Sequence, residues 1–73
     1  MNKQFSFSDA LIYLKAGGRV ARAGWNGKNM SLYLMTLGGF EPCVVMITAT
    51  GHLQPGWLCS QADMLADDWM QVK

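Results

Sequence analysis

Two stretches of this chain are apolar on both sides of an extended strand. From Met30 to Leu37 the even positions carry Met30, Leu32, Leu34 and Thr36, and the odd ones Ser31, Tyr33, Met35 and Leu37. From Val44 to Ala49 one side holds Val44, Met46 and Thr48, the other Val45, Ile47 and Ala49. Successive strand side chains point to opposite faces, so a sheet with one wet face alternates apolar with polar. These strands ask for cover on both faces. A chain of 73 residues allows a single domain, 1–73, and a domain this small hides only about 60% of its unfolded surface.

The remaining elements supply cover for one face. Ser6-Phe7-Ser8-Asp9 has the form of a capping box, with the Ser6 hydroxyl placed to accept from the Asp9 backbone N–H. Phe7, Ala10, Leu11 and Leu14 follow at helical spacing, and Gly17-Gly18 provides a left-handed stop. The helix this predicts is about ten residues long. Arg19 to Arg22 reads as a short strand whose two arginines lie on opposite faces. Gly24 to Lys28 is a turn containing Asn26-Gly27, a strong hairpin signal. Gly38-Gly39 and Gly51 end the two long strands, and His52 to Trp57 forms a fourth short strand or an extended loop. Ser60-Gln61-Ala62-Asp63 repeats the capping-box form and opens a short helix through Ala66, and Asp68 to Val72 alternates as a last strand.

The predicted fold class is α+β: a small antiparallel sheet of about four to five strands with an N-terminal helix and a short second helix. One helix covers one face. The economical cover for the other is a second copy of the chain, so a homo-oligomer joined through that face is expected; the alternative is that the second helix and the loops cover it.

Composition removes several function classes. Six Lys/Arg against five Asp/Glu leave a formal charge of +1, unlike a module that tracks a phosphate backbone. No apolar run approaches the ~20 residues of a membrane span, and Met1-Asn2-Lys3-Gln4 lacks a signal peptide's apolar segment, which predicts a cytoplasmic protein. Cys43, Cys59 and His52 fall short of the roughly four ligands of a zinc site, and the two thiols read as small buried hydrophobes. No metal or cofactor is expected. His52 is the single imidazole, and a Cys59–His52 pair has no obvious third group. Asp63, Asp67 and Asp68 read as a helix cap and a solvated helix end, so the expectation is a protein that is not an enzyme.

What stands out instead is aromatic and planar. Trp25, Trp57 and Trp69 accompany Arg19, Arg22, Lys28, Tyr33, Asn26 and Gln61. Aromatic faces stack on nucleobases, guanidinium groups hold phosphates, and amides read base edges. That is a toolkit for a small nucleotide; Trp57 and Trp69 equally fit the role of core anchors.

The segment Lys15 to Lys28, with Gly17-Gly18-Arg19-Val20-Ala21-Arg22 and Gly24-Trp25-Asn26-Gly27, resembles the N-terminal signature of the phage Thoeris anti-defense 2 family. The segment Trp57 to Trp69, with Ser60-Gln61-Ala62-Asp63 and Leu65-Ala66-Asp67-Asp68-Trp69, resembles its C-terminal signature. The resemblance spans nearly the whole chain. It implies a catalytically inert sponge, a small homo-oligomer and typically a tetramer, that sequesters nucleotide second messengers of bacterial immunity. These are glycocyclic ADP-ribose isomers of Thoeris systems and, in some members, cyclic oligonucleotides of CBASS systems, held in pockets between protomers. Carried onto this chain, it makes Arg19, Arg22, Trp25 and Asn26, and Trp57, Ser60, Gln61 and Asp63, candidates for the ligand site; Tyr33 joins them from the toolkit above. Asp68 and Trp69 are expected to hold the fold. The chain departs from the family in a short Leu37 to Val44 segment and in Cys59, where Pro or Ala is common. The partners expected are a small nucleotide messenger and copies of the chain itself, with no membrane and no polymeric nucleic acid. The competing class is a protein-interaction or inhibitor module that binds a host protein through its apolar sheet face; a minor hydrolase using Cys59 and His52 is a third.

Overall fold

The computed structural model describes residues 3–25, 29–36 and 38–72. Along the chain these form β1 (Gln4–Phe5), α1 (Phe7–Lys15), β2 (Arg19–Arg22), a single 3-10 turn (Ala23–Trp25), β3 (Ser31–Met35), β4 (Cys43–Ile47), β5 (Leu53–Pro55), α2 (Gln61–Met64) and β6 (Trp69–Val72). The strands make one sheet in the order β1-β6-β2-β3-β4-β5, with antiparallel pairing throughout. The sheet therefore has six strands rather than the four to five expected. The additional one is β1, whose two residues are too few to show an alternation in sequence; its place comes from Gln4 and Phe5 lying opposite Met70 and Trp69. The expected Asn26-Gly27 turn, like Leu37, lies outside the described residues.

The helix ends follow their local chemistry. Ser6 caps α1 through its hydroxyl, which accepts from the Asp9 N–H at 3.5 Å, and Gly17 leaves the helix at φ +91°, a region other residues avoid. Ser60 caps α2 in the same way, accepting from the Asp63 N–H at 3.1 Å. The second helix stops at Met64, short of Ala66, because the Ala66 N–H reaches back only three residues, to the Asp63 carbonyl.

Register decides which residues share a face. Val20 lies opposite Leu32, and Leu32 opposite Met46; Arg22 lies opposite Trp69, as does Phe5. On this face Ala10 and Leu14 of α1 meet Val20, Leu32, Met46 and Trp69 in the buried core. Each fully buried large side chain there contributes about 1.5–3 kcal/mol. Leu11 sits about 100° around the helix from Ala10, and it is a flank residue, 36% exposed. Tyr13 instead turns toward β1, where its ring stacks on Phe5 at 4.8 Å between centroids.

The opposite face carries Arg19 against Val72, Ala21 against Met70, Ser31 against Ile47 and Tyr33 against Val45. Both helices lie on the first face: α1 packs on β2, β3 and β6, and α2 is tied to Arg22 and Trp69. Among the described residues no helix covers the second face. Ala21, Ser31 and Val45 are nonetheless buried.

Candidate functional site

The two arginines of β2 are three residues apart and so project to opposite faces, and the fold gives them different surroundings. Arg22 ends β2 on the helix side. Its Nε donates to Asp68 at 2.7 Å, its Nη1 to Asp63 at 2.8 Å, and its Nη2 to the second Asp68 oxygen at 3.4 Å. That Asp68 oxygen also accepts from the Gly24 backbone N–H at 2.8 Å. One guanidinium thus joins the 3-10 turn, α2 and the approach to β6. The side chains are only partly exposed, 21% for Arg22 and 16% for Asp63. The hydrogen bonds to Asp68 and then Asp63 raise the Arg22 pKa, and the same Arg22 bond holds the Asp68 carboxyl below its ordinary range.

Directly beyond this clamp stands an aromatic cluster. Trp69, fully buried, meets the Trp25 ring edge-on at 5.4 Å and Trp57 at 6.3 Å, and Trp25 and Trp57 are 6.5 Å apart. Phe7, the first residue of α1, leans on Trp69 at 5.2 Å and on Trp57 at 6.5 Å. Edge-to-face contacts at these distances add stabilisation beyond area burial. Trp25 and Trp57 each keep a partly exposed surface.

Arg19 lies on the open face. There a cavity of about 350 Å³ is lined by Arg19, Ala21, Ser31 and Ile47, by Met70 and Val72 of β6, and at its rim by Arg22, Ala23, Asn29 and Met30. Among the described residues no carboxylate lines it. Ala21 and Ser31 are short, which leaves room above the sheet, while Ile47, Met70 and Val72 give apolar walls. Ala23 belongs to the same 3-10 turn as Trp25, so the turn that carries Trp25 into the aromatic cluster also contributes a residue to the cavity lining. Tyr33 is on the same face, two residues along β3 from Ser31.

The candidates read from sequence thus separate into groups. Arg22 and Asp63 are joined to each other, and Ser60 has its hydroxyl on the α2 backbone. Gln61 is exposed at the start of α2, Trp25 and Trp57 line the aromatic cluster, Arg19 lines the cavity, and Asn26 lies outside the described residues. Asn29, Met30, Ile47, Met70 and Val72 escaped sequence reading. The available signal was Ser31, a polar residue in an otherwise apolar strand that turns out buried; the left-handed Asn29, at φ +59°, shows only in the backbone. His52 bonds through Nδ1 to the Thr50 hydroxyl at 2.9 Å, and the Cys59 thiol donates to the Ser60 carbonyl at 3.5 Å. Each is engaged by a near neighbour in sequence.

Fold and site together define a two-layer α+β domain with both helices on one sheet face and a guanidinium-bearing cavity on the other. The chain belongs to the Thoeris anti-defense 2-like family, whose sequence model matches residues 5–72. It is similar to a protein named Thoeris anti-defense 2 from Bacillus phage SP01, with 38% identity over 85 aligned residues covering 94% of this chain and 96% of that protein. The aligned span exceeds this chain's length, so the relative carries residues that this chain lacks.

Proposed function

We propose that this chain is a phage anti-defense protein that acts as a non-catalytic sponge, binding and sequestering a nucleotide second messenger of host immunity. Family membership supports the anti-defense role. The observation that carries the sponge reading is the open-face cavity, with its guanidinium, its polar Asn29 and Ser31, and its apolar walls, and with no carboxylate among the described lining residues. Phosphate oxygens pair with the guanidinium fork of Arg19, and the sugar and base lie on Ile47, Met70 and Val72.

The cavity is near the lower end of the 300–1,000 Å³ typical of ligand sites, and it opens from an apolar sheet face. A second copy of the chain laid on that face deepens the cavity and covers the strands in one step. The assembly is then a homo-oligomer, a tetramer on the family pattern, with the messenger held between protomers in the host cytoplasm. Glycocyclic ADP-ribose isomers and CBASS cyclic oligonucleotides are the ligand classes, and no turnover accompanies binding.

The test is to mix the protein with glycocyclic ADP-ribose and with a cyclic trinucleotide, wash, denature by heat and weigh the released nucleotide by mass spectrometry. Intact ligand released in proportion to protein supports a sponge. Ligand recovered in hydrolysed form, or none retained from either probe, overturns it. The second reading, a module docking on a host protein, draws on the same uncovered strands and predicts a stable protein complex with no small-molecule affinity.

A further inference from the structure

We infer that Arg22 is a positioning residue: through Asp68 and Asp63 it sets the Trp25 turn that rims the cavity, and it does not contact the bound anion. The inference rests on the sponge reading for its binding readout, and on the clamp geometry for everything else.

Three observations lead to it. First, the Arg22 donors are already directed at carboxylates, with Nε and Nη1 at 2.7 and 2.8 Å and Nη2 on the far Asp68 oxygen. Two carboxylates against one guanidinium leave the cluster net negative, which repels a phosphate. Second, Asp68 grips the turn as well as the arginine, since its Oδ2 accepts from the Gly24 N–H immediately before Trp25. Third, Gly24 makes room for that grip. A Cβ at this position would lie 3.0 Å from Asp68 Oδ2 and 3.3 Å from Arg22 Nη2, so the clamp side chains would have to give by a few tenths of an ångström to accept one. Trp25 then packs on Trp69 and Trp57, while Ala23, next to Gly24, lines the cavity. The clamp, the aromatic wall and the cavity rim are therefore joined through the one turn Ala23–Trp25.

A direct phosphate contact and a positioning role make opposite predictions for Asp68→Asn. Removing that carboxylate's charge frees positive charge on Arg22, so an anion bound by Arg22 gains affinity. If Arg22 positions the turn, the same change loosens the rim and affinity falls. The expected result is a roughly tenfold weaker binding of glycocyclic ADP-ribose by calorimetry, with a changed near-ultraviolet circular dichroism of the tryptophan cluster and an unchanged far-ultraviolet spectrum. Arg22→Lys tests the same point with the charge retained. A lysine lacks the planar fork that spans two carboxylates, so it is expected to reproduce both the weakened binding and the altered near-ultraviolet signal. Unchanged or tighter binding in folded Asp68→Asn, or Arg22→Lys with wild-type affinity and an unaltered spectrum, overturns the inference. If the unsubstituted protein binds no probe, the sponge reading fails, and the near-ultraviolet comparison alone decides the clamp: no spectral change in either folded variant refutes it.

Discussion

The indole Nε1 of Trp69 donates to the Asp63 carbonyl oxygen at 2.9 Å, so the largest fully buried side chain of the sheet also fastens the second helix. A helix of four residues is far too short to persist on local propensity. It is held by this bond, by the Ser60 cap and by the Asp63 carboxylate on Arg22. Trp69→Phe keeps an aromatic ring in the core but drops the donor, and is expected to cost about 1–3 kcal/mol. Trp69→Ala also opens a cavity and is expected to cost about 3–5 kcal/mol, a large share of a small domain's stability. Urea unfolding followed by tryptophan fluorescence measures both.

Acid is expected to weaken the fold through Asp68. The Arg22 hydrogen bond lowers its folded pKa below the ordinary 3.8, so the unfolded chain binds the proton more readily. The stabilisation is then fully present above the ordinary carboxylate range and is lost as pH falls through that range toward the lowered folded value. Thermal melts from pH 6 down to about pH 2 are expected to show a falling Tm, and Asp68→Asn to flatten that acid limb. Equal acid sensitivity in the variant would place the effect elsewhere.

Arg19→Glu puts a carboxylate into a cavity that has none among its described lining residues. Glycocyclic ADP-ribose binding is expected to weaken by at least about a hundredfold, since an attraction becomes a repulsion at contact distance. Calorimetry reads the affinity, and far-ultraviolet circular dichroism checks that the sheet is intact. Retained binding would move the site away from the open face.

Assembly through that face is tested at Ile47, which stands opposite both Ser31 and Leu53. Ile47→Glu introduces a charge where a second copy is expected to pack, at the desolvation cost of an unpaired buried ion. Sedimentation is expected to give an oligomer for the unsubstituted chain and a monomer for the variant. A clean monomer of the unsubstituted chain at micromolar concentration would remove the inter-protomer cavity.

Burial pushes the Cys59 thiol pKa up, and the Asp63 carboxylate adds to the shift. Fewer thiolates form at neutral pH, so iodoacetamide is expected to label Cys59 more slowly in the native protein than in urea. Cys59→Ala is expected to leave ligand retention unchanged. Ligand degradation that disappears in this variant would favour the hydrolase.

Much of the fold was legible from one-dimensional patterns because its signals are local. The two capping boxes lie within four residues, the apolar stripe of α1 within eight, and the strands β3 and β4 announce themselves by side-chain alternation. The unusual apolarity of both strand faces was also readable, and it identifies a sheet side that α1 cannot reach. The family signatures at Lys15 to Lys28 and Trp57 to Trp69 are contiguous, and the family they point to is the one the chain belongs to.

Long-range pairing decided the rest. A two-residue β1 carries no period, and it exists because β6 offers Trp69 and Met70 as partners. Nor could chain order show that Arg22 meets carboxylates 41 and 46 residues away, while Arg19, three positions earlier, faces a cavity built from four strands. Residue types state what a side chain is able to bind; the antiparallel register and sheet order determine which partners reach it first. Two arginines alike in the sequence have therefore become different groups, one enclosed by carboxylates at the turn and one in the cavity of the open face.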